Sequence, residues 1–284
     1  MKRITPSPKA NKQTKTPEEI IVENINLISS PDAAKWGAMS TIINYKNEVP
    51  DLAVYLWFSS GTITILFTEF LTIIQDYDEG LKTESLYNLQ TIMSLFYIIS
   101  SDDRTKVNFI ESNISFYFIP IMDQCLDSPN QIRISAMCLS VFAALAQNSI
   151  NEVMVKFVEL GLLSICTKYL QNSPLELKIA ASHITYSMIK SERIQESIFQ
   201  TPDQVSLVLF PLLKIFTELS QSFNKRLSQY VVPQIFILFE KEGVIGIAIK
   251  FLYEKMKSKK ISGEYDQQYL DLVDFIENEM ANVK

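Results

Sequence analysis

The chain has 284 residues, 47% of them hydrophobic, with 17 Phe and 12 Tyr but only 7 Gly, and a formal net charge of −6. Sparse glycine disfavours all-β folds and phosphate-cradling enzymes, whose tight turns and close backbone approaches need residues without a Cβ. The acidic balance argues against a general polyanion-binding surface.

Residues 1–16 are polar and carry Lys2, Arg3, Lys9, Lys12 and Lys15 without a single acid. They are predicted to form a disordered tail, and they are the segment best suited to touching nucleic acid or acting as a nuclear address. No apolar stretch follows these bases, so no signal peptide is expected. Order is predicted from Thr16-Pro17-Glu18-Glu19, which has the layout of a capping box with proline at the first helical position. From there helix follows helix with short joints, and no segment shows sustained strand-like alternation. The longest apolar run, Val205 to Phe216, is interrupted by Pro211 and Lys214. It is shorter than the roughly 20 residues that span a bilayer, so the chain is expected to be soluble, with no membrane partner.

The segment Gly61–Gln75 reads as an amphipathic helix of an unusual kind. A wheel of 3.6 residues per turn puts Ile63, Phe67, Phe70 and Ile74 on one face, expected to point into the protein. Beside it runs a stripe of Ser60, Thr64 and Leu71, with Thr68 at its edge, that carries no charge. Solvated helix faces usually show Lys, Glu or Arg, so something is expected to cover this one. Small residues would let another helix approach to about 8 Å. Periodicity alone leaves the cover open between another part of the chain and a separate partner.

An internal repeat organises the remainder. Ser128-Pro129-Asn130-Gln131-Ile132-Arg133-Ile134-Ser135-Ala136 returns as Ser173-Pro174-Leu175-Glu176-Leu177-Lys178-Ile179-Ala180-Ala181, and an earlier copy runs from Ser30-Pro31 to Ala38. Such spacing falls within the ~40–47 residues of armadillo and HEAT units. In each copy Ser suits the N-cap, Pro the first turn, and a small residue (Ala38, Ala136, Ala181) a close helix contact. The expected fold is therefore all-α, an armadillo/HEAT-like helical repeat solenoid over residues 17–257 with about six units, since single units cannot bury their apolar stripes. Pro120, Pro211 and Pro233 should kink or break their helices. After a linker rich in lysine (Lys255, Lys257, Lys259, Lys260), the region 258–284 should end in an acidic amphipathic helix, residues 264–281, that caps the solenoid.

The inventory for catalysis is thin. His183 is the only histidine and sits in an apolar-periodic helix, where a packed core or groove residue is the expected role rather than a base or zinc ligand. Neither a Gly-rich nucleotide loop nor a nucleophile elbow is present. Asp102-Asp103 and Glu18-Glu19 fall at helix starts, where carboxylates complement the macrodipole. Phe116-Tyr117-Phe118 is expected to pack in the core. Cys125, Cys138 and Cys166 lie in apolar helical patterns without C-x-x-C spacing, as reduced buried thiols of a cytosolic or nuclear protein do. No catalytic, cofactor-binding or metal-binding residue is assigned.

The block Val49-Pro50-Asp51-Leu52-Ala53, then Leu56-Trp57, Ser59, Gly61-Thr62-Ile63 and Glu69, resembles the signature of the Rcd ("required for cell differentiation") family. The likeness extends over about residues 20–255, through Arg104–Ile110, Ile132-Arg133-Ile134, Glu152–Phe157, Arg226-Leu227 and Val231-Val232. It implies the armadillo-type, non-catalytic adaptor subunit of the CCR-NOT messenger-RNA deadenylase complex, docked on the large Not scaffold and recruiting regulators of mRNA decay and translational repression. It implies scaffold contacts through Trp57, Phe58, Ser60, Thr64 and Leu71. It also implies a concave groove for short amphipathic helices of RNA-binding regulators, at Gln131, Arg133 and Cys138. Here Phe58 and Ser60 stand where the family commonly has His and Phe, and Gln131 and Cys138 where it has Tyr and Gly. Cytoplasmic and also nuclear residence, and self-association into a homodimer, belong to the same implication. A direct single-stranded RNA- or DNA-binding armadillo protein is the alternative. An armadillo receptor for basic peptides is disfavoured, because neither Trp36 nor Trp57 has Asn on its helical face.

Overall fold

A helix buries one stripe of its surface, so a chain of short amphipathic helices is stable only when they stack. The computed structural model describes residues 15–30, 34–75, 82–124, 126–219, 222–239 and 267–282, and all regular structure among them is helical. Two compact units divide the chain, Met1–Leu95 and Phe96–Lys284, with the boundary inside one helix. The basic residues 2–12, Cys125 and the lysine-rich linker lie outside the described residues.

In the first unit, α1 (Pro17–Ile28) starts at the expected capping box. The Glu19 amide donates to Thr16 Oγ1 (3.2 Å) and the Thr16 amide to Glu19 Oε2 (2.9 Å). The helix packs on α2 (Ala34–Asn44). A full triplet follows: a short α3 (Leu52–Phe58), α4 (Thr62–Gln75) and a long α5 (Thr83–Ser101).

The second unit repeats this grammar. First come α6 (Asp103–Glu111), a 3-10 turn (Ile114–Phe118) running into α7 (Ile119–Met122), and α8 (Pro129–Ala146). Next are α9 (Asn151–Glu159), α10 (Leu162–Asn172) and α11 (Leu175–Ile189), then α12 (Glu192–Ile198), α13 (Pro202–Leu219) and α14 (Lys225–Phe239). The last described helix, α15 (Gln267–Asn282), packs on α14, with the Phe275 ring 6.0 Å from both Phe236 and Phe239.

The corner between the first and second helix of a triplet is made the same way three times. Gly61 (φ +79°), Asn113 (φ 60°) and Gly161 (φ 65°) are all left-handed. That region is costly for residues with a Cβ, least so for Asn. At the first corner α3 and α4 meet at 83°.

Of the three prolines expected to kink or break a helix, one stands at a helix start and two lie within helices that are not broken. Pro120 stands in the first turn of the short α7, where the 3-10 turn gives way. Pro211 and Pro233 are instead accommodated inside continuous α13 and α14. The repeat register is also offset by one residue. Ser128 caps α8 and accepts from the Gln131 amide, but α11 begins after Pro174, not after Ser173. Ser135, not Ala136, is therefore the buried counterpart of Ala181.

The core of the second unit is threaded by phenylalanines. Phe96 meets Phe109 (5.6 Å) and Phe118 (6.2 Å); Phe118 meets Phe142 (6.0 Å) and Phe142 meets Phe157 (5.7 Å), three of these four contacts being edge-to-face. Such pairs contribute about 0.5–1.5 kcal/mol each beyond their burial. A polar clamp accompanies them. Lys106 is fully buried, and its Nζ donates to Asp103 Oδ1 (2.7 Å) and to the Gln147 carbonyl (3.1 Å). The other Asp103 oxygen accepts from Nδ2 of left-handed Asn148 (2.8 Å), which ties α6 to the α8–α9 joint.

Two consequences are testable. Gly61→Ala meets no atom within 4 Å of the new Cβ, so its whole cost is left-handed strain. It should lower stability in denaturant titration by about 1–2 kcal/mol, and Gly61→Asn by less. The Lys106 hydrogen bond, aided by Asn148, holds the Asp103 carboxyl below its ordinary value of 3.8, and Arg104 does the same for Asp102. A depressed carboxylate stabilises fully above its unfolded pKa, and that contribution disappears as pH falls through the lower folded value. Asp103→Asn should therefore destabilise most above about pH 5 and progressively less below about pH 4. A pH-independent difference in denaturation midpoint would contradict this.

Candidate functional site

The outward side of α4 is built from residues that water does not need. Thr62, Leu66, Phe70 and Ile73 are its buried face. Ile63, Phe67 and Ile74 are half-buried beside it, so the inward face expected from the wheel is corrected by rather less than one residue's step. Both readings put apolar residues inward. The 83° corner at Gly61 selects between them.

This rotation broadens the uncharged surface. Ser60, Thr64, Thr68 and Thr72 are exposed, with half-buried Leu71, Phe67 and Ile63 alongside. The hydroxyls of Thr68 and Thr72 donate to the carbonyls of Thr64 (2.8 Å) and Thr68 (2.9 Å) one turn back. Satisfied within the helix, they leave methyl groups as the feature presented outward. Glu69 is the one charged residue of α4, and it is neutralised: its Oε1 lies 2.5 Å from Lys35 Nζ, with both side chains largely buried. That ammonium also stands 5.4 Å from the centre of the Trp36 ring.

The five expected scaffold-contact residues gather at this corner. Phe58 is 65% exposed at the end of α3, and Trp57 beside it is half-buried. Ser60 lies in the joint, Thr64 in the first turn of α4, and Leu71 two turns further along. Ser59 closes α3 by donating its hydroxyl to the Tyr55 carbonyl.

The three expected groove residues do not form one surface. Cys138 is only 1% exposed, and burial pushes its thiol up to about 12. Gln131 is half-buried, its Oε1 accepting from the Asp127 amide (3.1 Å). Arg133 is exposed on a different side of α8, two residues on. The seven-residue spacing of Gln131 and Cys138 does place them on one face, but that face is the core side. Cys166 is likewise buried and its thiol is pushed up.

Elsewhere the second unit shows features missed by pattern reading. Of Phe116-Tyr117-Phe118 only Phe118 is core; Phe116 and Tyr117 are 58% and 46% exposed and pack edge-to-face at 6.0 Å. A groove of about 410 Å³ between α10 and α12–α13 is lined by Leu163, Thr167, Lys168, Ile198 and Leu207 among others. His183 is half-buried, its ring 4.8 Å from that of Tyr230, and burial lowers its pKa. Among the described residues no cluster of three or more His, Cys, Asp or Glu is placed to hold a metal, and no single helix is long and apolar enough to cross a membrane.

Known proteins place this architecture. A designed armadillo repeat protein aligns with a TM-score of 0.59 at 14% identity, covering 90% of this chain and 98% of its own. A second, solved in complex with the peptide (KR)4, gives 0.59 at 14% identity over 91% and 98%. The fold is thus all-α and armadillo-like. The cell differentiation protein rcd1 of Schizosaccharomyces pombe is 22% identical over 209 residues, 73% of each chain. Protein CAF40 of Saccharomyces cerevisiae is 21% identical over 145 residues, 51% of this chain and 39% of that one. Residues 25–273, spanning nearly all the helices and the α3–α4 corner, match the model of the cell differentiation family, Rcd1-like, and the chain belongs to that family.

Proposed function

We propose that the protein is a non-catalytic adaptor of the CCR-NOT messenger-RNA deadenylase complex, docking on the large Not scaffold through the α3–α4 corner and bringing regulators of mRNA decay and translational repression to it. Family membership supports the setting. The observation that carries the docking site is the uncharged outward side of α4, with its one carboxylate tied to Lys35 and the hydroxyls of Thr68 and Thr72 turned back on the helix. Such a face gains free energy by pairing with another apolar helix face, over an interface of roughly 1,200–2,000 Å². Phe58 is the natural anchor, since exposed aromatic residues at interface centres dominate affinity.

Thr64→Tyr tests this reading. Thr64 is exposed, so the larger ring is accommodated in the free protein, leaving the melting profile unchanged. Across a close helix–helix contact the same ring is an obstruction, and co-purification of the Not scaffold from cells expressing the variant should fall at least tenfold, about 1.4 kcal/mol. Full recovery of the scaffold with an unchanged melt would remove this face as the docking site.

A further inference from the structure

No further inference is drawn: the strongest candidate, the surface patch made by the edge-to-face rings of Phe116 and Tyr117 on the 3-10 turn between α6 and α7, is exposed and apolar, but nothing in the structure shows what covers it.

Discussion

The corner between the first two helices of a triplet, made the same way in the first three triplets, is the constraint on which the other features depend. A left-handed residue lets the chain turn sharply within a few residues, and Gly61, Asn113 and Gly161 supply it in turn. The direction of that turn decides which stripe of the second helix faces inward. At the first corner it buries Thr62, Leu66, Phe70 and Ile73 and leaves Thr64, Thr68 and Thr72 outside. The uncharged face is thus a product of backbone geometry as much as of residue choice.

Inside the units, the apolar effect supplies bulk stability while a few polar links set register. The phenylalanine series from Phe96 to Phe157 passes through elements of three successive triplets. Being non-directional, hydrophobic burial tolerates several packings of similar area. The Lys106–Asp103–Asn148 clamp does not, because a buried ammonium without its acceptors is costly. Tyr169 plays a comparable part between α10 and α7, its hydroxyl donating to the Met122 carbonyl at 2.9 Å. A repeat protein has only neighbouring contacts to rely on, so such links between adjacent triplets carry unusual weight.

Legibility in the sequence followed the range of the interaction. The capping box at Thr16, the carboxylate cap at Asp102 and the helical nature of every described segment are local, and they read directly. The repeat was visible too, yet its register slipped by one residue at α11, because Ser-Pro can supply either cap or first turn and tertiary packing chose Pro174 as the cap. On α4 more than half the circumference is apolar, so a wheel could not decide between Ile63–Phe67–Ile74 and Leu66–Phe70–Ile73. Cys138 shows the same limit from the other side: seven residues put it on one helical face with Gln131, but its burial depends on the packing of α8 against its neighbours, α11 among them. The exposed pair Phe116 and Tyr117 had no local marker, since aromatic residues are ordinarily read as core.

The outward side of α4 and the contact between α11 and α14 differ in chemistry. On α4 the surface is free of net charge and rich in β-branched methyl groups, which are stiff before contact and lose little entropy on burial. A face of that kind favours a long-lived contact whose strength varies little with salt. Across α11 and α14 the surface combines aromatic rings with flanking bases. Exposed charge makes a contact depend on salt, whereas the contact of an uncharged face varies little with it.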